Sequence, residues 1–224
     1  MKINLISSPE EIQDLIYTAA KTCTSEHTSK EIFDACFQLD KFKLIRKVIE
    51  SGHLSVLRHV NFTFTIDGIS RACADQLLRH TAGWAFSQQS MRYVKFDFDA
   101  DFNYTDYYVV PKILNKSQEL VYANTCIESI TNYEQLICNG LNPEDARGIL
   151  GLNFKTNVVA TCNLQSLIHF CNERLCNKAQ SEIQELALQM KLKVEEKELW
   201  IGEYLQPKCV KNKGCREAKS CGKY

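Results

Sequence analysis

The apolar positions of this chain change period several times. In "SSPEEIQDLIYTAAKTC", Ile12, Leu15, Ile16 and Ala19 keep a helical stripe, with Ser8 as the expected N-cap and Pro9 in the first turn. "SKEIFDACF" and "LDKFKLIRKVIESG" predict two more helical regions, the second stopped by Gly52. The period then drops to two. In "VNFTFTI", Phe62, Phe64 and Ile66 alternate with polar residues, which predicts a half-buried strand. Asp67-Gly68 is expected to turn the chain before a helix in "SRACADQLLRH".

"RHTAGWAFSQQSMRY", residues 79–93, shows neither period and reads as a loop rich in arginine, glutamine and aromatic residues. "MRYVKFDF" and "TDYYVV" read as strands or extended segments. A long helix is expected over 116–139, ended by Gly140, and a short one in "NPEDARGIL" with Pro143 in its first turn. "TNVVAT" reads as a strand, Asn163 as the cap of a helix in "LQSLIHFCNERLC", and "KAQSEIQELALQMKLKVEEKELW" as a long amphipathic helix. Helices and strands mix without regular βα alternation, so the class is α/β or α+β, a mixed sheet packed with long helices. Residues 1–206 are expected to form one domain, and 207–224 a cysteine-containing tail with little power to form a core.

Composition narrows the function. The 27 basic and 27 acidic side chains of the 224 residues cancel, so no electrostatic footprint for bulk nucleic acid is present. An anion must be held by a local arginine cluster. No apolar run reaches the roughly 18–20 residues that span a membrane, and no signal peptide is visible, so a soluble, cytoplasmic protein is expected. The 11 cysteines are odd in number and scattered, which argues against a secreted disulfide framework. Most read as small buried hydrophobes. No CxxC pair supports zinc, and no metal site is expected. Cys209, Cys215 and Cys221 are evenly spaced in the tail, where a metal or redox role stays open beside a purely structural one.

GxGxxG, GxxxxGK[ST] and GxSxG are all missing, so neither a Rossmann fingerprint, a P-loop nor a nucleophile elbow is present. Polar residues instead stand out on segments that otherwise look structural: His53, Ser55 and His59; Gln76, Arg79 and His80; Ser87 to Arg92; Arg147; and Asn163, Gln165, His169 and Arg174. Arginine keeps its charge at all working pH values and forks onto phosphate or a planar imide edge, so Arg79, Arg92, Arg147 and Arg174 would make an anion site if they converge. Each taken alone reads more readily as a solvated surface residue or one half of a salt bridge. His169 and Arg174 do not share a strict helical face.

"HLSVLRHVNFTFTIDGISRACADQLLRH", "SQQSMRYV", "EDARGIL" and "NLQSLIHFCNERLCNKAQSEIQELA" together resemble the flavin-dependent thymidylate synthases over residues 1 to about 200. The signature of that family is an Arg-His-Arg triplet, seven variable residues and a Ser, then x-Arg-Tyr. The resemblance implies a homotetramer with sites where subunits meet, FAD held without a Rossmann fold, and reductive methylation of dUMP to dTMP. The carbon would come from methylenetetrahydrofolate and the hydride from NADPH through FAD. The missing Pro-Cys dipeptide, which marks the unrelated cysteine-dependent thymidylate synthase, agrees with the flavin route.

By the same resemblance Ser55, Arg79, His80, Thr81, Gln88, Asn163, Gln165 and His169 would bind the flavin. Gln76, Arg79, Gln88, Gln89, Ser90, Met91, Arg92, Arg147 and Arg174 would bind dUMP. Arg174 would also be catalytic, stabilising negative charge on the uracil imide so that C5 becomes nucleophilic. Four departures stand out. Thr81 replaces the second arginine of the triplet, and eight residues rather than seven separate it from Ser90, an insertion expected near Gly83. Position 58, often Glu in the family, is Arg58, and Gln165 stands where Arg is usual. Each lost charge-assisted contact is worth about 1.5–3 kcal/mol, which would weaken flavin binding most. Two alternatives therefore accompany the main reading: a divergent enzyme that stops at hydroxymethylation, and a homologue that only binds a pyrimidine nucleotide.

Overall fold

The protein is described from a computed structural model covering residues 1–36, 40–98, 101–112 and 114–222. Phe37 and Leu39 of the second and third expected helical regions, and the last two residues of the tail, lie outside the described residues. Four strands, β1 (Lys2–Ser7), β2 (Asn61–Ser70), β3 (Trp84–Gln88) and β4 (Lys155–Asn163), form a sheet in the order β1-β2-β4-β3. The mixed α/β class is as expected. In β2 the alternation is direct: Phe62, Phe64 and Ile66 are fully buried between less buried neighbours. β4 repeats the pattern with Thr156, Val158, Ala160 and Cys162 inward.

Among the described residues ten helices follow in chain order: α1 (Ile12–Thr22), α2 (Ser29–Ala35), α3 (Phe42–Glu50), α4 (Arg71–Leu77), α5 (Tyr104–Tyr107), α6 (Lys116–Cys138), α7 (Pro143–Ala146), α8 (Leu164–Arg174), α9 (Ser181–Lys197) and α10 (Lys208–Lys211). Short 3-10 segments cover Leu54–His59, Arg147–Ile149 and Leu199–Glu203. Start signals written in the sequence are used at α6, where Asn115 and Gln118 make a reciprocal capping box, and at α8, where Asn163 accepts from the Ser166 amide. No helix among the described residues is long and apolar enough to cross a membrane.

The chain divides into two compact units. The first comprises Met1–Lys2, Ile66–Arg79 and Ser87–Val158, the second Ile3–Thr65, His80–Phe86 and Val159–Tyr224. The core of the first is aromatic: Met91, Tyr108, Tyr133 and Phe154 are buried with Ile130 and Leu150, and Phe96, Phe98 and Phe102 pack on them. Within it, Arg71 N donates to Phe154 O at 3.0 Å and Gly68 N to Asn157 Oδ1 at 3.0 Å, so partner numbers fall as the chain rises, the antiparallel signature. The second unit shows the same sense, with Thr63 and Thr161 hydroxyls 3.0 Å apart and Leu164 N donating to Val60 O at 2.8 Å. Its core is mainly aliphatic, with Ile12, Ile16, Ile45, Leu57, Leu167 and Leu186 fully buried. The buried Asp14 of α1 pairs with Lys41 at the start of α3.

Several local expectations are corrected. Ser8 is not a cap; α1 begins after Glu11, and residues 2–7 form the unexpected strand β1, too short to announce itself by period. Asp67-Gly68 does not turn the chain, because Gly68 takes a left-handed φ of 70° inside β2 and the strand continues to Ser70. The 79–93 stretch is not wholly a loop, since it contains β3. "MRYVKFDF" forms no strand, and "TDYYVV" is one helical turn, α5, followed by a single bridge between Tyr108 and Phe154. Phe96, Phe98, Tyr107 and Tyr108 of these segments pack in or on the core, while Tyr93 stays exposed. Only Cys36, Cys73, Cys126, Cys162 and Cys171 of the eleven cysteines are buried.

Candidate active site

The polar residues singled out in the sequence fall into one group in each unit. In the second unit, the span from Ala82 to Gly83 is fastened to the start of α8. The Asn163 amide donates to Gly83 O at 3.2 Å and Ser166 Oγ to Ala82 O at 2.7 Å. Gly83 has a φ of 73°, and a Cβ there would fall inside contact distance of Asn163 Nδ2 and Ser166 Oγ. Only glycine fits both the backbone and the gap. Downstream, Trp84 stacks on Phe86 at 5.3 Å and meets Phe170 of α8 edge-on at 5.4 Å. These rings brace the segment, as their size suggests.

This docking brings His80 to α8. Arg174 Nε donates to His80 Nε2 at 3.0 Å. The His80 ring also meets Phe170 edge-on at 5.0 Å and lies 6.2 Å from the His169 ring. His169 and Arg174, which the helical wheel separates, are therefore joined through His80. Burial, then the positive Arg174, then His169 push the His80 pKa down to about 4, against a smaller pull from Glu173. His80 is neutral at working pH, and because Nε2 accepts, its proton is on Nδ1.

On the same helix, Gln165 Oε1 accepts from Arg58 Nε at 2.6 Å. Arg58 shares the 3-10 segment Leu54–His59 with the exposed Ser55. The guanidinium that position 165 lacks is supplied to that side chain from position 58. The sequence offers positions 58 and 165 as separate departures; their pairing spans 107 residues and no local pattern marks it. Asn163 spends its carbonyl oxygen on the helix cap, and Thr81 is exposed, its carbonyl accepting from Trp84 N at 3.3 Å.

The first unit holds the other group. Gln89 N donates to Asn157 O at 2.9 Å, Asn157 Nδ2 returns a bond to Gln89 Oε1 at 3.2 Å, and Gln88 Nε2 reaches Thr156 Oγ1 at 3.4 Å. Ser90 Oγ accepts from Arg92 N at 3.2 Å, which folds the next turn. Met91 is 4% exposed in the aromatic core, so its side chain anchors the loop and only its backbone is available to a ligand. Arg79 is exposed beyond the end of α4, and the half-buried Gln76 bonds back to Ala72 O at 3.3 Å.

Arg92 and Arg147 converge on one residue. Arg92 Nε donates to the Glu144 carboxylate at 2.9 Å, and Arg147 Nε to the Glu144 carbonyl at 2.9 Å. A third guanidinium, Arg71 of α4, feels this group. Burial lowers its pKa, the positive Arg147 adds to that, and Asp75 opposes it. Its Nη1 is buried with no hydrogen-bond partner among the described residues. Glu144 and Arg71 were not singled out in the sequence, where each looks like an ordinary solvated helix residue. No group of three or more His, Cys, Asp or Glu side chains suited to a metal occurs among the described residues.

A family model described as thymidylate synthase complementing protein matches residues 4–198. A Pyrococcus furiosus protein named flavin-dependent thymidylate synthase is 35% identical over 192 residues, covering 85% of this chain and 77% of that protein. One of the same name from Geobacter sulfurreducens is 32% identical over 225 residues, covering 100% of this chain and 94% of that protein. Among solved structures, the flavin-dependent thymidylate synthase of Helicobacter pylori, complexed with FAD and dUMP, superposes with a TM-score of 0.74 at 22% identity, covering 92% of this chain and 100% of that one. A UMP/dUMP methylase of Streptomyces cacaoi, bound with 5-Br dUMP, gives 0.73 at 22% identity over 91% and 93%. At that identity the two structures speak for the fold.

Proposed function

The chain belongs to the flavin-dependent thymidylate synthase family, and from that premise we propose that it methylates dUMP to dTMP. The carbon comes from methylenetetrahydrofolate and the hydride from NADPH by way of FAD. The observation that carries this reading is the Arg174–His80 contact of 3.0 Å. A neutral imidazole fixes the guanidinium by one nitrogen without cancelling its charge. Held in this way, the planar Arg174 guanidinium suits an imide edge. Negative charge that develops across uracil N3 and O4 is stabilised there, and C5 gains nucleophilic character without a covalent enzyme nucleophile. C5 then exchanges its hydrogen for the one-carbon unit, which ends as a methyl group.

The donor set of the second unit fits a phosphorylated, planar cofactor. Arg58, paired with Gln165, offers a guanidinium near Ser55, while His80 and the exposed His169 offer ring edges. When bound, FAD supplies the two-electron reduction. In the first unit, Arg92 and Arg147 suit the nucleotide phosphate, with Gln88, Gln89 and Ser90 in the adjoining segment, and Gln76 and Arg79 flank them in sequence. An incoming phosphate would compete with the Glu144 carboxylate for Arg92.

A homotetramer is part of the proposal. Leu120 and Val121 of α6 and Leu152 are 63%, 67% and 66% exposed, apolar surface of the kind a subunit contact covers. Cysteines that form no disulfide among the described residues suit a reducing compartment such as the cytoplasm. The Arg58–Gln165 rearrangement keeps hydroxymethylation as a second reading, because it alters the side chains offered to the flavin.

Purified protein should be yellow with bound FAD and should oxidise NADPH. It should form dTMP from dUMP only when methylenetetrahydrofolate is present. Colourless protein that FAD does not reconstitute would sink the proposal, and release of hydroxymethyl-dUMP would favour the second reading.

A further inference from the structure

The tail does not hang free. Within the second unit, α10 and a turn through Lys213, whose φ is 51°, bring residues 207–217 beside the C-terminal end of α8. Together they enclose a cavity of about 450 Å³, lined at one end by His80 and Arg174 and on the tail side by Lys208 and Arg216. That volume lies in the range of small-molecule sites, roughly 300–1,000 Å³.

Its charge is one-sided. Arg174, Lys178, Lys208 and Arg216 line it, against two carboxylates, Glu173 and Glu217. Glu173 is already engaged by Lys208 at 3.2 Å. The excess of four cations over two anions is two positive charges, which matches the roughly −1.5 to −2 of a phosphate monoester at neutral pH better than a single carboxylate. Asn172, which also lines the cavity, has a buried Oδ1 with no hydrogen-bond partner among the described residues, so the wall holds an acceptor awaiting a donor such as a hydroxyl or amide.

We propose that this cavity binds the phosphate-bearing part of a second small molecule, next to the nucleotide that Arg174 orients, and that the tail exists to complete it. On the functional reading above, which this inference rests on, that molecule is the phosphorylated nicotinamide reductant. Lys208 and Arg216 then select the phosphorylated dinucleotide over its unphosphorylated form.

Calorimetric titration of the flavin-loaded protein, saturated with dUMP, tests this with NADP⁺, NAD⁺ and inorganic pyrophosphate as probes. NADP⁺ should bind at least about tenfold more tightly than NAD⁺, and pyrophosphate should displace it. Lys208→Gln with Arg216→Gln should weaken NADP⁺ by about tenfold or more while leaving NAD⁺ binding within about twofold. FAD content and dUMP affinity report on the fold and on the functional reading; the double variant should leave both unchanged. If either is lost, Lys208→Gln alone is titrated in its place. Unchanged NADP⁺ affinity in the variant overturns the inference, as does equal binding of the two dinucleotides or competition between NADP⁺ and dUMP.

Discussion

The two arginine groups are held in different ways. In the first unit Arg92 leans on a carboxylate, at 2.9 Å, with 54% and 43% of the two side chains exposed. In the second unit Arg174 leans on a half-buried neutral imidazole at 3.0 Å. An exposed ion pair is exchangeable: its net worth is about 0–1 kcal/mol, and an incoming phosphate replaces the carboxylate at little cost. A neutral imidazole acceptor orients a guanidinium without itself bringing a countercharge. The first arrangement suits a clamp that binds and releases nucleotide; the second suits a group that must meet charge as it develops.

The widest separation between the two should appear on removing the arginines themselves. Arg174→Ala is expected to lower turnover by about 10²–10³ while dUMP binding, read by calorimetry, changes far less. Retained turnover would remove the distinction. Arg92→Ala is expected to do the reverse. It should weaken dUMP by about 10–100-fold, the equivalent of one charge-assisted contact of about 1.5–3 kcal/mol, with turnover at saturation nearly intact.

A smaller effect concerns protons. His80 titrates at about 4 in the folded chain, below the usual 6.5, so the unfolded chain binds the extra proton first. The stability contributed by the neutral ring is complete above about pH 6.5 and is lost as pH falls toward 4. Partial exposure limits the loss to roughly 1–2 kcal/mol. Urea unfolding at pH 7 and pH 4.5 should show that difference in the parent and not in His80→Gln, which still accepts from Arg174 but does not titrate. The smallest effect belongs to Glu144→Gln. Loss of an exposed ion pair should change stability by no more than about 1 kcal/mol and tighten dUMP slightly, because Arg92 no longer has a charged competitor. Weaker dUMP binding would instead make Glu144 a positioning residue.

How much of this was readable from the chain depends on range. α6, α8 and β2 were legible because their caps and periods are local. Asn163 announces α8, and the Phe62-Phe64-Ile66 alternation announces β2. The site residues were legible as types, and the 79–93 stretch as more than a linker. β3 inside it was not, because Trp84, Phe86 and Gln88 are only half-buried on their inner side and imitate a polar loop.

Residue order and composition alone settled the long helices, β2 and β4, which side chains bear charge and which family the chain matches, since these depend on spacing along a few turns of backbone. Pairing in space settled the rest. Gly83 places His80 on Arg174 across 94 residues. Arg58 answers Gln165, Glu144 gathers Arg92, and the tail faces the end of α8. A guanidinium has the same charge wherever it stands; whether it clamps or catalyses follows from the acceptor that folding sets against it.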